Sequence, residues 1–284
     1  MNAGQEGHML DVDIKEYLSR VGIRKITELD TALTDTFGQN EGERHIERLT
    51  KLFDQTEERL VYGNGDTPYL HRQEALVDYL NQSSQMSFLA SSFYDRVFFR
   101  RVMEYLLRYG SYCTGDIFDI GCGNGILTCF LALRYPDSII TGFELSQNAV
   151  SVAEGLACRL QVDNVHFTSQ EVQGRGQCDT LFSCRTVHEN VAWKALCEEP
   201  KPAVLPVEEH AKRHQVYAGK LASMVRTMGH LVSVERYEDD SVYAGLLRAL
   251  EHEGFCQVRG THMQFSCKDG DKTAVFQAMI FQRI

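Results

Sequence analysis

The sequence predicts an α/β fold: a doubly wound, mostly parallel sheet with an antiparallel C-terminal strand, preceded by an N-terminal helical region. Three observations point there. Residues 116–128, "DIFDIGCGNGILT", read as a short apolar strand, a glycine turn and a helix start, the opening of a nucleotide-binding βαβ unit. From Asp116 onward, strand-like runs and helical periodicities alternate, the pattern of a parallel sheet covered on both faces. Before Asp116 only helical patterns occur. The chain is therefore divided into a helical region, 1–110, and a sheet domain, 111–284.

In the helical region, Leu10, Ile14 and Leu18 fall on one helical face, as do Ile46, Leu49, Leu52 and Phe53, and Ala75, Leu76, Tyr79 and Leu80. "VYGNGDTPYL" breaks the pattern with two glycines, an aspartate and a proline. "SSFYDRVFFRRVMEYLLRYG" predicts one helix, capped by Ser91 or Ser92, with Asp95 in its first turn and Gly110 at its end. Strands follow at 116–120, 139–144, 164–168, 178–184 and 230–236. Helices fall at 125–135, 147–161, 208–228 and 241–253. Finally, "FCQVRG" and "TAVFQAMIFQ" are strand-like, and the "THMQFSCKDGDK" between them leaves no room for a crossover helix, so they should pair antiparallel.

Composition narrows the function classes. The chain's 284 residues, 43% of them hydrophobic, suffice for a full core. A net charge of -10 argues against binding nucleic acid mainly through its phosphates. The nine cysteines are odd in number and form no CxxC pair, which fits a reducing compartment and no zinc site. No apolar stretch approaches the ~18 residues of a membrane span, and no signal peptide is visible. The expectation is a cytoplasmic protein.

The turn reads Asp119-Ile120-Gly121-Cys122-Gly123-Asn124-Gly125. Its GxGxG spacing differs from the GxGxxG of nicotinamide enzymes. An acid two residues before the first glycine would repel a pyrophosphate and attract an ammonium group. Glycines let the backbone approach such a ligand closely. The second strand ends at Glu144, where a carboxylate can accept both hydroxyls of a ribose diol. Placed before a helix, Glu144 would also suit a helix entry.

"FDIGCGNG", followed one helix later by "TGFELS", resembles the first two motifs of the class I S-adenosylmethionine-dependent methyltransferases. "VRTMGHLVSVE" is similar to the family's glycine-bearing run into the fifth strand, with Met228 where the first glycine usually sits. "LEHEGFCQV" is similar to the run before the sixth. The resemblance covers about 116–284 and implies a Rossmann-like fold with S-adenosylmethionine as cofactor. It implies that Asp119 faces the methionine ammonium, and that Gly121, Cys122, Gly123 and Asn124 line the methionine part. It places Glu144 on the ribose, Leu145 beside the adenine and Cys184 near the methionine moiety. Where the family often has an acid near the adenine amino group, this chain offers Ser169, Gln170 and Glu171. Gln170 is the candidate, its side-chain oxygen able to accept that hydrogen bond. Tyr94, from the helix before the sheet domain, is a candidate lid residue.

The acceptor should meet the long segment 185–210. His188 and Glu189 are the candidate general bases there, for an oxygen or protonated nitrogen acceptor. His188 could instead cap a strand end or bond to a backbone carbonyl. Trp193 is a candidate pocket wall or core residue. His210 and His214, four residues apart, read as a polar helix face rather than a metal pair. No Asn/Asp-Pro-Pro-aromatic run ends the fourth strand, and no Lys/Arg cluster suggests RNA. A small-molecule acceptor is what this elimination leaves, with 1–110 as lid, acceptor pocket and candidate homodimer contact. The alternatives are a non-catalytic cofactor-binding partner protein and, less favoured by the GxGxG spacing, a nicotinamide-dependent oxidoreductase.

Overall fold

The computed structural model describes residues 9, 11–62, 75–170, 176–187, 206–237, 239–269 and 272–284. Among the described residues, the helices before the sheet include α1 (Ile14–Val21), α2 (Leu29–Phe37), α3 (Gln39–Tyr62), α4 (Ser84–Tyr94) and α5 (Arg96–Tyr109). A helical run at 75–80 lies between α3 and α4. The sheet region then runs β1 (Ile117–Ile120), α6 (Ile126–Arg134), β2 (Ile140–Phe143), α7 (Gln147–Leu160), β3 (Val165–Thr168) and β4 (Cys178–Cys184). It closes with α8 (Val207–Met224), β5 (Val225–Arg236), α9 (Asp240–His252), β6 (Phe255–Gln257), β7 (Met263–Asp269) and β8 (Lys272–Arg283).

The sheet order is β3-β2-β1-β4-β5-β8-β6, with β7 also paired to β8. β1 to β5 are mutually parallel, and β8 runs antiparallel to β5, β6 and β7. The fold is thus the Rossmann-like, mostly parallel α/β sheet with an antiparallel strand and N-terminal helices that the sequence predicts. Successive strand residues point to opposite faces. Phe182 and Val232 enter one core with α5, α6 and α7; Leu181 and Leu231 enter the other with α8 and α9. A third, smaller cluster joins Leu33, Leu49, Leu52, Leu76, Met86 and Leu89 from the N-terminal helices.

Several boundaries differ from expectation. The single helix predicted from "SSFYDRVFFRR…" is two, broken at Asp95, which caps both the end of α4 and the start of α5. Ser91 and Ser92 are therefore interior to α4, and its cap is Ser83, whose hydroxyl accepts the Met86 amide. The periodicity misleads because α4 is buried on every side between two cores, from Met86 to Ser92. Ala75, expected inward, is exposed. The helix predicted to reach 228 ends at Met224, and β5 begins at Val225. An irregularity follows, and regular pairing with β4 resumes at His230, the predicted strand start. β7 lies within the segment expected to be a connection: polar Gln264, Ser266 and Lys268 alternate with Phe265 and Cys267, the pattern of a strand with one buried face. His210 and His214 are buried, not a polar face. His214 Nδ1 meets the His210 carbonyl at 2.7 Å and Nε2 the Tyr237 hydroxyl at 2.8 Å, and burial lowers its pKa. Leu10 lies outside the described residues, as does most of the "VYGNGDTPYL" break.

Candidate functional site

The site forms at the carboxyl ends of β1, β2 and β4, where adjacent parallel strands leave a crevice. The glycine turn after β1 is held by the Phe143 carbonyl, which accepts the Gly121 and Cys122 amides at 2.8 and 3.0 Å. Gly121 has φ +74°, and a β-carbon there would stand 2.4 Å from Thr186 Cγ2, so only glycine lets β1 pass the chain leaving β4. Gly123 has φ +53° and open space where a β-carbon would project. A ligand can therefore lie directly against its backbone.

Asp119 closes the floor. It is 2% exposed, and its Oδ2 accepts the Thr128 hydroxyl at 2.6 Å. Burial pushes its carboxyl up to about 7; the Thr128 bond opposes the rise and the nearby Glu144 charge adds to it. A cation arriving above Asp119 would reverse that cost.

At the end of β2, Glu144 Oε2 accepts the Gly123 amide at 3.1 Å and Oε1 the Ser146 amide at 3.0 Å. Both the helix-entry role and the neighbourhood of the glycine turn are thus realised in one side chain. Each oxygen retains a lone pair for a further donor. Leu145 beside it is 63% exposed, an apolar surface next to the turn. Gln170 lies exposed beyond β3; its amide donates to Thr168 Oγ1 at 3.1 Å, leaving the side chain to solvent or ligand. Cys122 is buried beneath the turn and Cys184 ends β4, half-buried; burial raises both thiols well above their ordinary range. Both are neutral, compact packing groups.

The N-terminal helices brace this crevice. Asn124 Nδ2 donates to Ser87 Oγ and Ser91 Oγ on α4, each at 2.9 Å. Asp78, from the helical run 75–80, accepts the Ser146 hydroxyl at 2.5 Å, and its carbonyl accepts Asn148 Nδ2 at 3.1 Å. Tyr94 ends α4 with its ring 5.7 Å from that of Phe53, facing a cavity among the helices.

A buried polar network fixes the chain leaving β4. Glu235, fully buried on β5, accepts the Ser183 hydroxyl at 2.8 Å and the Val187 amide at 3.1 Å. Thr186 Oγ1 meets Ser183 Oγ at 2.7 Å and accepts the Tyr217 hydroxyl at 2.8 Å. Arg185, at φ +63°, reaches Asp95 at 2.6 Å. Thr128 and Glu235 end the runs "DIFDIGCGNGILT" and "VRTMGHLVSVE", but neither run reveals their bonds, and Ser87, Ser183 and Thr186 carry no motif of their own. His188, Glu189 and Trp193 lie outside the described residues.

Residues 115–199 match the family model described as "Methyltransferase domain". No curated protein matches the chain. Among solved structures, the chain is similar to a magnesium protoporphyrin IX methyltransferase from Synechocystis crystallised with S-adenosylmethionine. Identity is 18%, coverage 92% of this chain and 100% of that one, and the TM-score 0.46. A methyltransferase from Pyrococcus furiosus is 12% identical over 64% of this chain and 81% of that one, with a TM-score of 0.43. The matched segment contains the Asp119 turn and Glu144, the first two motifs of the resemblance; the later runs at 225–235 and 250–258 lie outside it. Over residues 115–199, under a third of its length, the chain is similar to a methyltransferase domain.

Proposed function

We propose that this chain transfers a methyl group from S-adenosylmethionine to an oxygen or nitrogen of a small-molecule acceptor. The observation that carries this reading is the union of Gly123 and Glu144 at the carboxyl ends of β1 and β2. It presents an open glycine backbone and a fixed carboxylate to one ligand. The residues fit the cofactor. The space at Gly123 admits the methionine backbone, and Asp119 below offers its ammonium a counter-charge. Glu144 retains acceptor capacity for the ribose hydroxyls, exposed Leu145 offers the adenine an apolar face, and Gln170 stands free to accept its amino group.

When bound, the cofactor supplies a methyl group already activated on a sulfonium. What the chain must add is alignment of acceptor, methyl and sulfur, and exclusion of water. In this reading Cys184 and the Ser183–Glu235–Thr186 network fix the wall beside the methionine end, and Tyr94 is the lid residue carried by α4. His188 and Glu189, which follow that network in the chain, remain the candidate bases for an acceptor that must lose a proton. Eight described free thiols fit a reducing, cytoplasmic setting. No helix among the described residues is long and apolar enough to cross a membrane.

Calorimetric titration with S-adenosylmethionine and, separately, NADH tests the reading, repeated on Asp119→Ala and Glu144→Ala. Micromolar binding of the first ligand alone, weakened in both variants, is expected. Binding of NADH in its place would overturn the assignment.

A further inference from the structure

The sheet region supplies the proposed cofactor site, and a separate cavity lies among the N-terminal helices. About 620 Å³ in volume and open to solvent on one side, it lies between α2, α3 and the end of α4. That volume suits a small organic molecule. Its inner wall is apolar, with Leu33 and Leu49 buried and Phe53 and Phe93 beside them. Its opening carries three carboxylates, Glu28, Asp30 and Asp54, all exposed. No described lining residue is Lys, Arg or His. Glu28 and Asp30 also suit the start of α2, where acids meet the positive end of the helix dipole. Asp54 lies well inside α3 and has no such role, yet it lines the same opening.

α4 runs past both the cavity and the glycine turn. Ser87 and Ser91 on this helix hold Asn124 of the glycine turn. Tyr94, three residues beyond Ser91 and so about 4.5 Å further along the helix axis, lines the cavity. The two sites share one rigid, buried element.

We propose that this cavity is the acceptor site and that it selects an apolar, ring-sized body bearing a cationic amino group. The inference rests on the methyltransferase reading and adds the acceptor's chemical class. The apolar wall drives burial of the body, and the one-signed rim attracts an ammonium while repelling carboxylates and phosphates. The amine is the recognition handle; it need not be the methylated atom.

The test uses the full chain saturated with S-adenosylmethionine and three probes of one shape: cationic tryptamine, neutral tryptophol and anionic indoleacetate. Binding is measured by calorimetry at low and high salt. Tryptamine should bind about tenfold more tightly than tryptophol at low salt, the preference shrinking at high salt. Indoleacetate should bind least. The Glu28→Gln/Asp54→Asn double variant should lose about tenfold in tryptamine affinity and leave tryptophol unchanged. Thr50→Lys, on the exposed face of α3 at the rim, should do the same by placing an ammonium among the acids. Equal binding of tryptamine and tryptophol, no binding of tryptamine, or tryptamine affinity unchanged in both variants would each overturn the proposal. Cofactor affinity is read in the same samples. Loss of S-adenosylmethionine binding in the unmodified chain would overturn the methyltransferase reading instead, whatever the amine series shows.

Discussion

Gly123 donates its amide to Glu144 Oε2 at 3.1 Å, so the glycine turn after β1 and the acid after β2 are one unit. Replacing Glu144 by Gln keeps an acceptor for that amide but removes the charge and half the acceptor capacity. Cofactor affinity should fall about tenfold, with stability changed by less than about 1 kcal/mol. Gly123→Ala tests the other partner. Its φ of +53° costs an L-residue about 1 kcal/mol, and the added methyl fills the open space. A larger loss of affinity than of stability would place the ligand there; the reverse would make the turn purely structural.

Asp119 sets a pH dependence whose sign follows from its burial. Its folded pKa is about 7 against an ordinary 3.8. A raised folded pKa means that its contribution is fully present below about pH 4 and lost as pH climbs through 7. The ligand-free protein should therefore lose up to about 4 kcal/mol across that window from this group alone. Asp119→Asn should flatten that part of the stability profile. Cofactor binding should show the opposite trend. An ammonium favours the ionised carboxylate, so affinity should rise between pH 5 and 7 with release of a proton, a release measurable by titration in buffers of different ionisation enthalpy. Proton release undiminished in Asp119→Asn would assign the titration to another group.

Gly121 and Thr186 touch across the crevice, and their sizes are coupled. Gly121→Ala should cost about 3 kcal/mol by denaturant unfolding, from a left-handed φ and a methyl 2.4 Å from Thr186 Cγ2. Thr186→Ser removes that methyl and keeps the hydroxyl that meets Ser183 and Tyr217. The double variant should regain about 1–2 kcal/mol, a coupling that independent sites would not show.

How far the sequence could be read depended on how local each signal was. The Asp119–Gly125 turn and Glu144 are adjacent in the chain to the strands that place them, so order and spacing sufficed. Thr128, Thr186 and Glu235 act through partners 3 to 52 residues away; Thr128 and Glu235 end recognisable runs, but nothing local shows which partners they meet. α4 defeated periodicity because Ser87 and Ser91 are buried as partners of Asn124, which made a buried helix look half polar. His210 and His214 were misjudged for a related reason: a buried histidine with its nitrogens satisfied by the His210 carbonyl and Tyr237 has the same spacing as an exposed one.

Met228 shows a departure in sequence that has a cost in structure. It stands where the related run carries a glycine, and it adopts φ +70°, with its side chain 63% exposed. Nothing compensates through burial. The left-handed conformation costs an L-residue about 1–2 kcal/mol, while glycine loses about 0.5–1 kcal/mol more backbone freedom on folding. Met228→Gly should therefore stabilise the protein by roughly 0.5–1 kcal/mol. Met228→Ala retains the β-carbon and should gain nothing, which separates relief of strain from removal of an exposed apolar side chain. The neighbouring Gly229 cannot share this role. A β-carbon there would stand 2.5 Å from the Asp179 carbonyl oxygen, so Gly229→Ala should destabilise by more than Met228→Gly stabilises. Residue 228 sits where β5 begins, at the end of the sheet away from the crevice, so cofactor affinity should be unchanged in Met228→Gly. Equal stability of the Gly and Ala variants in urea unfolding would show that the backbone at 228 holds no strain.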